Sequence, residues 1–151
     1  MPLLLAALAA LATPPALAPL DFLVGHCWRG TLKTQDIDTH CFDVSDGHVR
    51  DRHQVVRGGK PVYRGETIYA WDEGAGAIAF TYTDMTGGVE KGHVRKTPQG
   101  LDFGEATYTD TDGSKMTIVT QWVVNGRSYE ARTRMPADAS MDGTVMYSRL
   151  D

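Results

Sequence analysis

The chain has no basic block and no stripe of lysine or arginine, and its formal net charge is −4. Neutralising a phosphate backbone needs clustered cations, so nucleic acid is not an expected partner. There are only two cysteines, at a spacing unlike that of a structural zinc site, and no C-x-x-C. No G-x-S-x-G is present, so no nucleophile motif points to a hydrolase. Internal repeats, low-complexity tracts and linkers are missing too, and the 151 residues read as one domain. Helical periodicity is nearly absent. What fills its place is 16 glycines among scattered threonine, valine and tyrosine, which points to an all-β chain.

The first 18 residues, MPLLLAALAALATPPALA, read as a secretory signal. The Leu/Ala run is too short to span a bilayer, and A-x-A sites end at Ala12 and Ala18. Residues 19–151 are then the mature domain, with no membrane span, and its expected location is periplasmic or secreted. Cys27 and Cys41 fit that compartment if they pair across the first two strands.

The stretch from Thr39 to Ala70 carries two hairpin signals, Asp46-Gly47 and Gly58-Gly59, flanked by strand-like runs. A two-residue loop at the first sets Val44 opposite Val49, Phe42 opposite Asp51 and His40 opposite His53. The same rule at the second sets Val55 opposite Val62, His53 opposite Arg64, Asp51 opposite Glu66 and Val49 opposite Ile68. Side chains alternate across a strand, so all of these share one face. Tyr63, Tyr69 and Trp71 then form an aromatic row on the other face.

Further along, a strand over residues 78–83 sets Tyr82 beside Glu66 and Asp84 beside Arg64. Turns at Pro98–Gly100, Asp112-Gly113 and Asn125-Gly126 define four more strands. They place Phe103, Trp122 and Tyr129 in one inward row, and Glu105 with Thr120 and Ala131 in the next. A final strand, residues 144–150, has no inward parity fixed by the pattern. About ten antiparallel strands joined by short turns imply an up-and-down barrel, entered through a short helical turn at residues 19–25.

A turn ending in Phe22-Leu23-Val24-Gly25, followed by Gly25-His26-Cys27-Trp28 at the start of the first strand, is similar to the G-x-W opening of lipocalin and calycin barrels. The plan of residues 20–151 resembles the ten-stranded calycins, closest to small bacterial lipocalin-like domains. The resemblance implies a barrel with an internal cavity and a small ligand inside. No histidine follows His93, so the late haem ligand of the nitrobindin-like calycins has no counterpart.

On the expected inner wall, His40, Asp51, His53, Arg64, Glu66, Tyr82 and Glu105 form a polar belt, facing an aromatic wall of Trp28, Phe103 and Trp122. One apolar wall with a few convergent polar groups is the usual form of a small-molecule site. Arg64 with the two histidines suits an anion, so the expected ligand is anionic and amphipathic. Two alternatives stand beside it. One is a small metal-dependent or acid–base enzyme, with His40, His53 and Glu66 as candidate ligands. The other is a structural barrel whose belt satisfies itself. No particular cofactor is implied, no catalytic residue is assigned, and the expected state is a monomer or weak homodimer.

Overall fold

The turns expected from glycine do form. In the computed structural model, which describes residues 11–151, Asp46-Gly47 and Gly58-Gly59 all take positive φ, between +52° and +77°. That is the conformation a two-residue hairpin loop demands. Strands β1 (Cys27–Thr31), β2 (Ile37–Ser45), β3 (His48–Arg57), β4 (Lys60–Asp72) and β5 (Ala77–Asp84) make the first half. Strands β6 (Val89–Thr97), β7 (Gly100–Thr109), β8 (Lys115–Asn125), β9 (Ser128–Arg134) and β10 (Gly143–Arg149) make the second. Each pairs antiparallel with its neighbour in sequence, and β10 pairs with β1, so the ten strands close into a barrel. Closure removes both sheet edges. At the seam Gly30 faces Tyr147, and a side chain there would come within 3.0 Å of the Met146 carbonyl. Among the described residues no helix is long and apolar enough to cross a membrane.

The β2–β3 register is as the turn predicts, with His40 opposite His53 and Phe42 opposite Asp51. The β3–β4 register is not. Arg57 faces Lys60 as expected, but Val56 faces Pro61 and Val55 faces Tyr63, so Val62 is left over as a bulge. Pro61 has no N–H to donate, which is where a ladder tolerates such an interruption. One extra residue turns every later side chain of β4 to the other face. Tyr63, Gly65, Thr67 and Tyr69 therefore point inward, and Arg64, Glu66 and Ile68 point outward. This corrects the inward placement of Arg64 and Glu66 and the outward placement of Tyr63 and Tyr69, whereas Trp71, the third of that aromatic row, is exposed.

A second slip lies in β7. Leu101 faces Trp122, but beyond a break between Asp102 and Gly104 the partner of Ala106 is Ile118. Gly104 takes φ +56°, and its N–H donates to Asp102 Oδ1 at 2.8 Å, a local turn set into the strand. Phe103 stays inward and buried, while Glu105 turns out and is exposed, against expectation.

A short 3-10 turn (Pro15–Leu20) closes one end of the barrel. Leu17, Leu20 and Leu23 are each at most 1% exposed and pack with Trp28, Phe42, Val49, Tyr69 and Val94. The Trp28 indole N–H donates to the Leu23 carbonyl at 3.4 Å, tying plug to wall. Residues 1–10 of the expected signal lie outside the described residues; residues 15–18 belong to this plug, so a cut at the site ending at Ala12, rather than the one ending at Ala18, keeps Leu17 in the core. Among the described residues nothing plugs the opposite end in this way. There the inward-facing Tyr63, Tyr82, Glu90, Tyr108 and Met116 are only half-buried, which marks a mouth that solvent reaches.

Candidate functional site

Two residues of spacing on β2 put Asp38 and His40 on one face, and His53 on β3 lies directly beside His40. The two imidazole rings stack with centroids 4.5 Å apart and planes 17° from parallel. His40 Nδ1 lies 2.6 Å from Asp51 Oδ2, and its Nε2 lies 3.0 Å from Asp38 Oδ2. Both nitrogens face carboxylates, so both donate, and the ring is an imidazolium. Burial alone would lower its pKa, but the Asp51 and Asp38 carboxylates outweigh that and lift it to about 10.

Asp38 is the hub. Its Oδ1 takes a hydrogen bond from His53 Nδ1 at 2.9 Å, and its Oδ2 takes another from the Tyr147 hydroxyl at 2.7 Å. Burial would raise this carboxyl, yet the bonds from His40 and His53 hold it well below the usual range. On the far side of His53, Nε2 lies 2.9 Å from the Tyr82 hydroxyl, which lies 3.0 Å from that of Tyr63. Burial raises Tyr82, Tyr147, Tyr69 and Tyr129, so these phenols stay neutral.

The aromatic wall is as expected in composition. Trp28 and Trp122 lie 5.3 and 4.4 Å from Tyr129, which stacks at 5.0 Å on Tyr147. Phe103 lies 4.8 Å from Trp122 and 5.4 Å from Phe80. His40, Asp51, His53, Tyr82, Trp28, Phe103 and Trp122 are thus brought together inside. Arg64, Glu66 and Glu105 are not. Arg64 and Glu66 instead line a cavity of about 890 Å³ on the outer face of β2–β5, with Arg52, Gln54, Thr83 and Met85. Asp84 does face inward, but as a turn anchor. It accepts from Thr86 and Gly88 N–H groups at 2.8 and 3.1 Å and from the Tyr108 hydroxyl at 2.8 Å.

Five buried side-chain atoms among the described residues have no hydrogen-bond partner; three of them, on Asp43, Arg50 and Arg149, belong to ion pairs, which leaves Asp51 Oδ1 and the Tyr129 hydroxyl with no protein partner of either kind. Asp51 and Tyr129 are at most 3% exposed. Leaving such an atom unbonded costs about 1–3 kcal/mol, so native interiors supply a partner from protein, water or ligand. Glu90, inward on β6 between Tyr82 and Tyr108, also has no hydrogen-bond or ion partner among the described residues. Burial lifts its carboxyl to about 7.

With Glu66 outside, the carboxylate beside the two histidines is Asp38. Ligating atoms of Asp38, His40 and His53 all lie within 4.8 Å of one another. A metal there would have to displace the proton that His40 holds against Asp38, so the arrangement favours a proton network over metal coordination.

Asp38, Tyr63, Tyr69, Glu90 and Tyr147 were not expected in the site. Asp38 was legible, since it shares parity with His40 two residues on. The tyrosines of β4 were hidden by the bulge, and Tyr147 by the unassigned parity of β10. The cysteines sit opposite each other on β1 and β2 and form a disulfide on the outer face.

No protein-family model, curated protein or solved structure matches this chain.

Proposed function

We propose that this is an exported, lipocalin-like barrel that binds a small amphipathic molecule in its interior through the unplugged end. The observation that carries the reading is the pair of orphaned buried polar atoms, Asp51 Oδ1 and the Tyr129 hydroxyl, set against an aromatic wall. A closed structural belt would satisfy its own acceptors. A ligand site leaves some for its guest, and lays an apolar body against rings such as Phe103 and Trp122. The open mouth supports entry from one side only. The Cys27–Cys41 disulfide supports an oxidising compartment, in keeping with periplasmic or secreted placement.

Native mass spectrometry of the exported protein tests this, with the denatured mass as reference. An organic adduct, or saturable binding of an added amphiphile, is the expected result. A protein without adduct that also fails to bind octylamine, octanol and octanoate would overturn the reading in favour of a self-satisfied structural barrel. A native mass excess of one divalent ion, lost in the His53→Ala variant, would overturn it in favour of a metal centre at Asp38, His40 and His53.

A further inference from the structure

The interior's charge is negative on balance. Asp36, Asp38, Asp51 and Asp84 are buried, the imidazolium of His40 is the cation set against them, and no lysine or arginine is buried among the described residues. Asp36 is answered by Arg57 at 2.7 Å and Asp84 by its own turn. Asp38 is filled by His40, His53 and Tyr147. The two imidazoles are themselves bonded to carboxylates and so are not free to receive an anion. What stays unfilled is acceptor: one oxygen of Asp51 and the whole carboxyl group of Glu90.

Glu90 also has the right company. In the β-ladder it lies opposite Tyr82 on one side and Tyr108 on the other. Those two hydroxyls are committed to His53 and Asp84, so the rings are held in place on the strands that flank Glu90. Tyr82 is held on its other side by Gly65, where a side chain would collide with the phenol. A fixed carboxylate among aromatic rings binds a cation by charge and by the ring faces together. All of these residues lie at the mouth and are only half-buried, so an entering molecule meets them early.

We propose that the head group selected by this barrel is an ammonium, carried by an amine with an apolar body, and that it docks on Glu90 between Tyr82 and Tyr108. The inference rests on the interior-binding reading above and gives it a chemical class. An anion entering the same mouth meets only carboxylates and bonded imidazoles. A neutral alcohol satisfies one acceptor at most. The amine supplies several N–H donors and the compensating charge.

The test is isothermal titration of the full-length exported chain at pH 7.5 with octylamine, octanol and octanoate, which share one body and differ in head. The expected result is saturable octylamine binding about tenfold tighter than octanol, with octanoate weakest. Glu90→Gln should raise the octylamine Kd about tenfold, to octanol's value, and leave octanol's own unchanged. Glu105→Gln on the outer wall should change neither. Octanol or octanoate binding as tightly as octylamine would overturn the ammonium assignment while leaving interior binding intact. An unchanged octylamine Kd in a folded Glu90→Gln variant would also overturn it. Failure of all three probes in protein that carries no organic adduct would overturn both readings together.

Discussion

The two ends of this barrel are built on opposite rules. At the plugged end Leu17, Leu20, Leu23, Trp28, Val49 and Val94 are all within 1% of full burial, and the cohesion comes from removing apolar surface from water. At the open end the inward side chains are tyrosines, histidines and carboxylates, and the cohesion comes from matching donors to acceptors. The first kind of packing is forgiving of partner identity. The second fails if one member is missing, because the remaining partner is left buried and unbonded. Burial therefore carries the plug, and matched donors and acceptors carry the mouth.

The comparison can be broken most forcefully at Trp28. Trp28→Ala should lose about 4 kcal/mol in denaturant unfolding, since it empties a fully buried indole volume and cuts the tie to Leu23. A loss comparable to an ordinary surface substitution would mean that the plug does not carry the fold. His40→Leu should cost about 3 kcal/mol at neutral pH by stranding the Asp51 carboxylate and taking one of three donors from Asp38.

The same group gives a pH signature. Its pKa is raised in the folded state, from 6.5 to about 10. Its stabilisation is therefore full below pH 6.5 and fades as pH rises towards 10. Melts across that range should show the decline in the wild type and its absence in His40→Leu.

Reducing the Cys27–Cys41 bridge, which spans 14 residues of sequence beside Trp28, should cost about 2–3 kcal/mol. That is read as the shift of the unfolding midpoint with and without reductant.

Glu90 sharpens the contrast from the other side. Its carboxyl is raised from 4.5 to about 7 by burial, with only neutral Tyr82, Tyr108 and Tyr69 around it. A raised carboxyl favours folding fully below pH 4.5, and that contribution is lost as pH climbs through 7. Glu90→Gln should then match the wild type at pH 4 and exceed it by about 2 kcal/mol at pH 8. Equal stability at both pH values would show that the mouth hydrates Glu90 fully. The smallest effects belong to the outer wall. Arg64→Ala and Glu105→Ala should each stay within about 0.5 kcal/mol of the wild type and leave ligand titrations unmoved.

The barrel and half of its site were legible in the residues. Asp46-Gly47 set His40 against His53 because a two-residue loop admits one register, and alternation then placed Asp51 in the same row. The inward parities of Trp28, Phe103, Trp122 and Tyr129 followed from hairpins of the same kind. Arg64, Glu66 and Glu105 went to the wrong face for one reason: a single extra residue reverses everything after it. Signals for both slips were present, Pro61 just inside β4 and Asp102-x-Gly104 inside β7. Alternation alone does not weigh such signals.

Local chemistry by itself determined the strand count, the hairpin turns and an aromatic wall facing a polar one, because turns and alternation act over a few residues. Tertiary structure alone decided which acid meets which histidine. Tyr147 reaches Asp38 across 109 residues only because β10 closes on β1. Glu90 has no partner among the described residues because the ladder sets it between Tyr82 and Tyr108, while the β4 bulge turns Arg64 to the other side of the wall. Both outcomes depend on where the ring of strands closes and where it slips, and those are properties of the whole barrel.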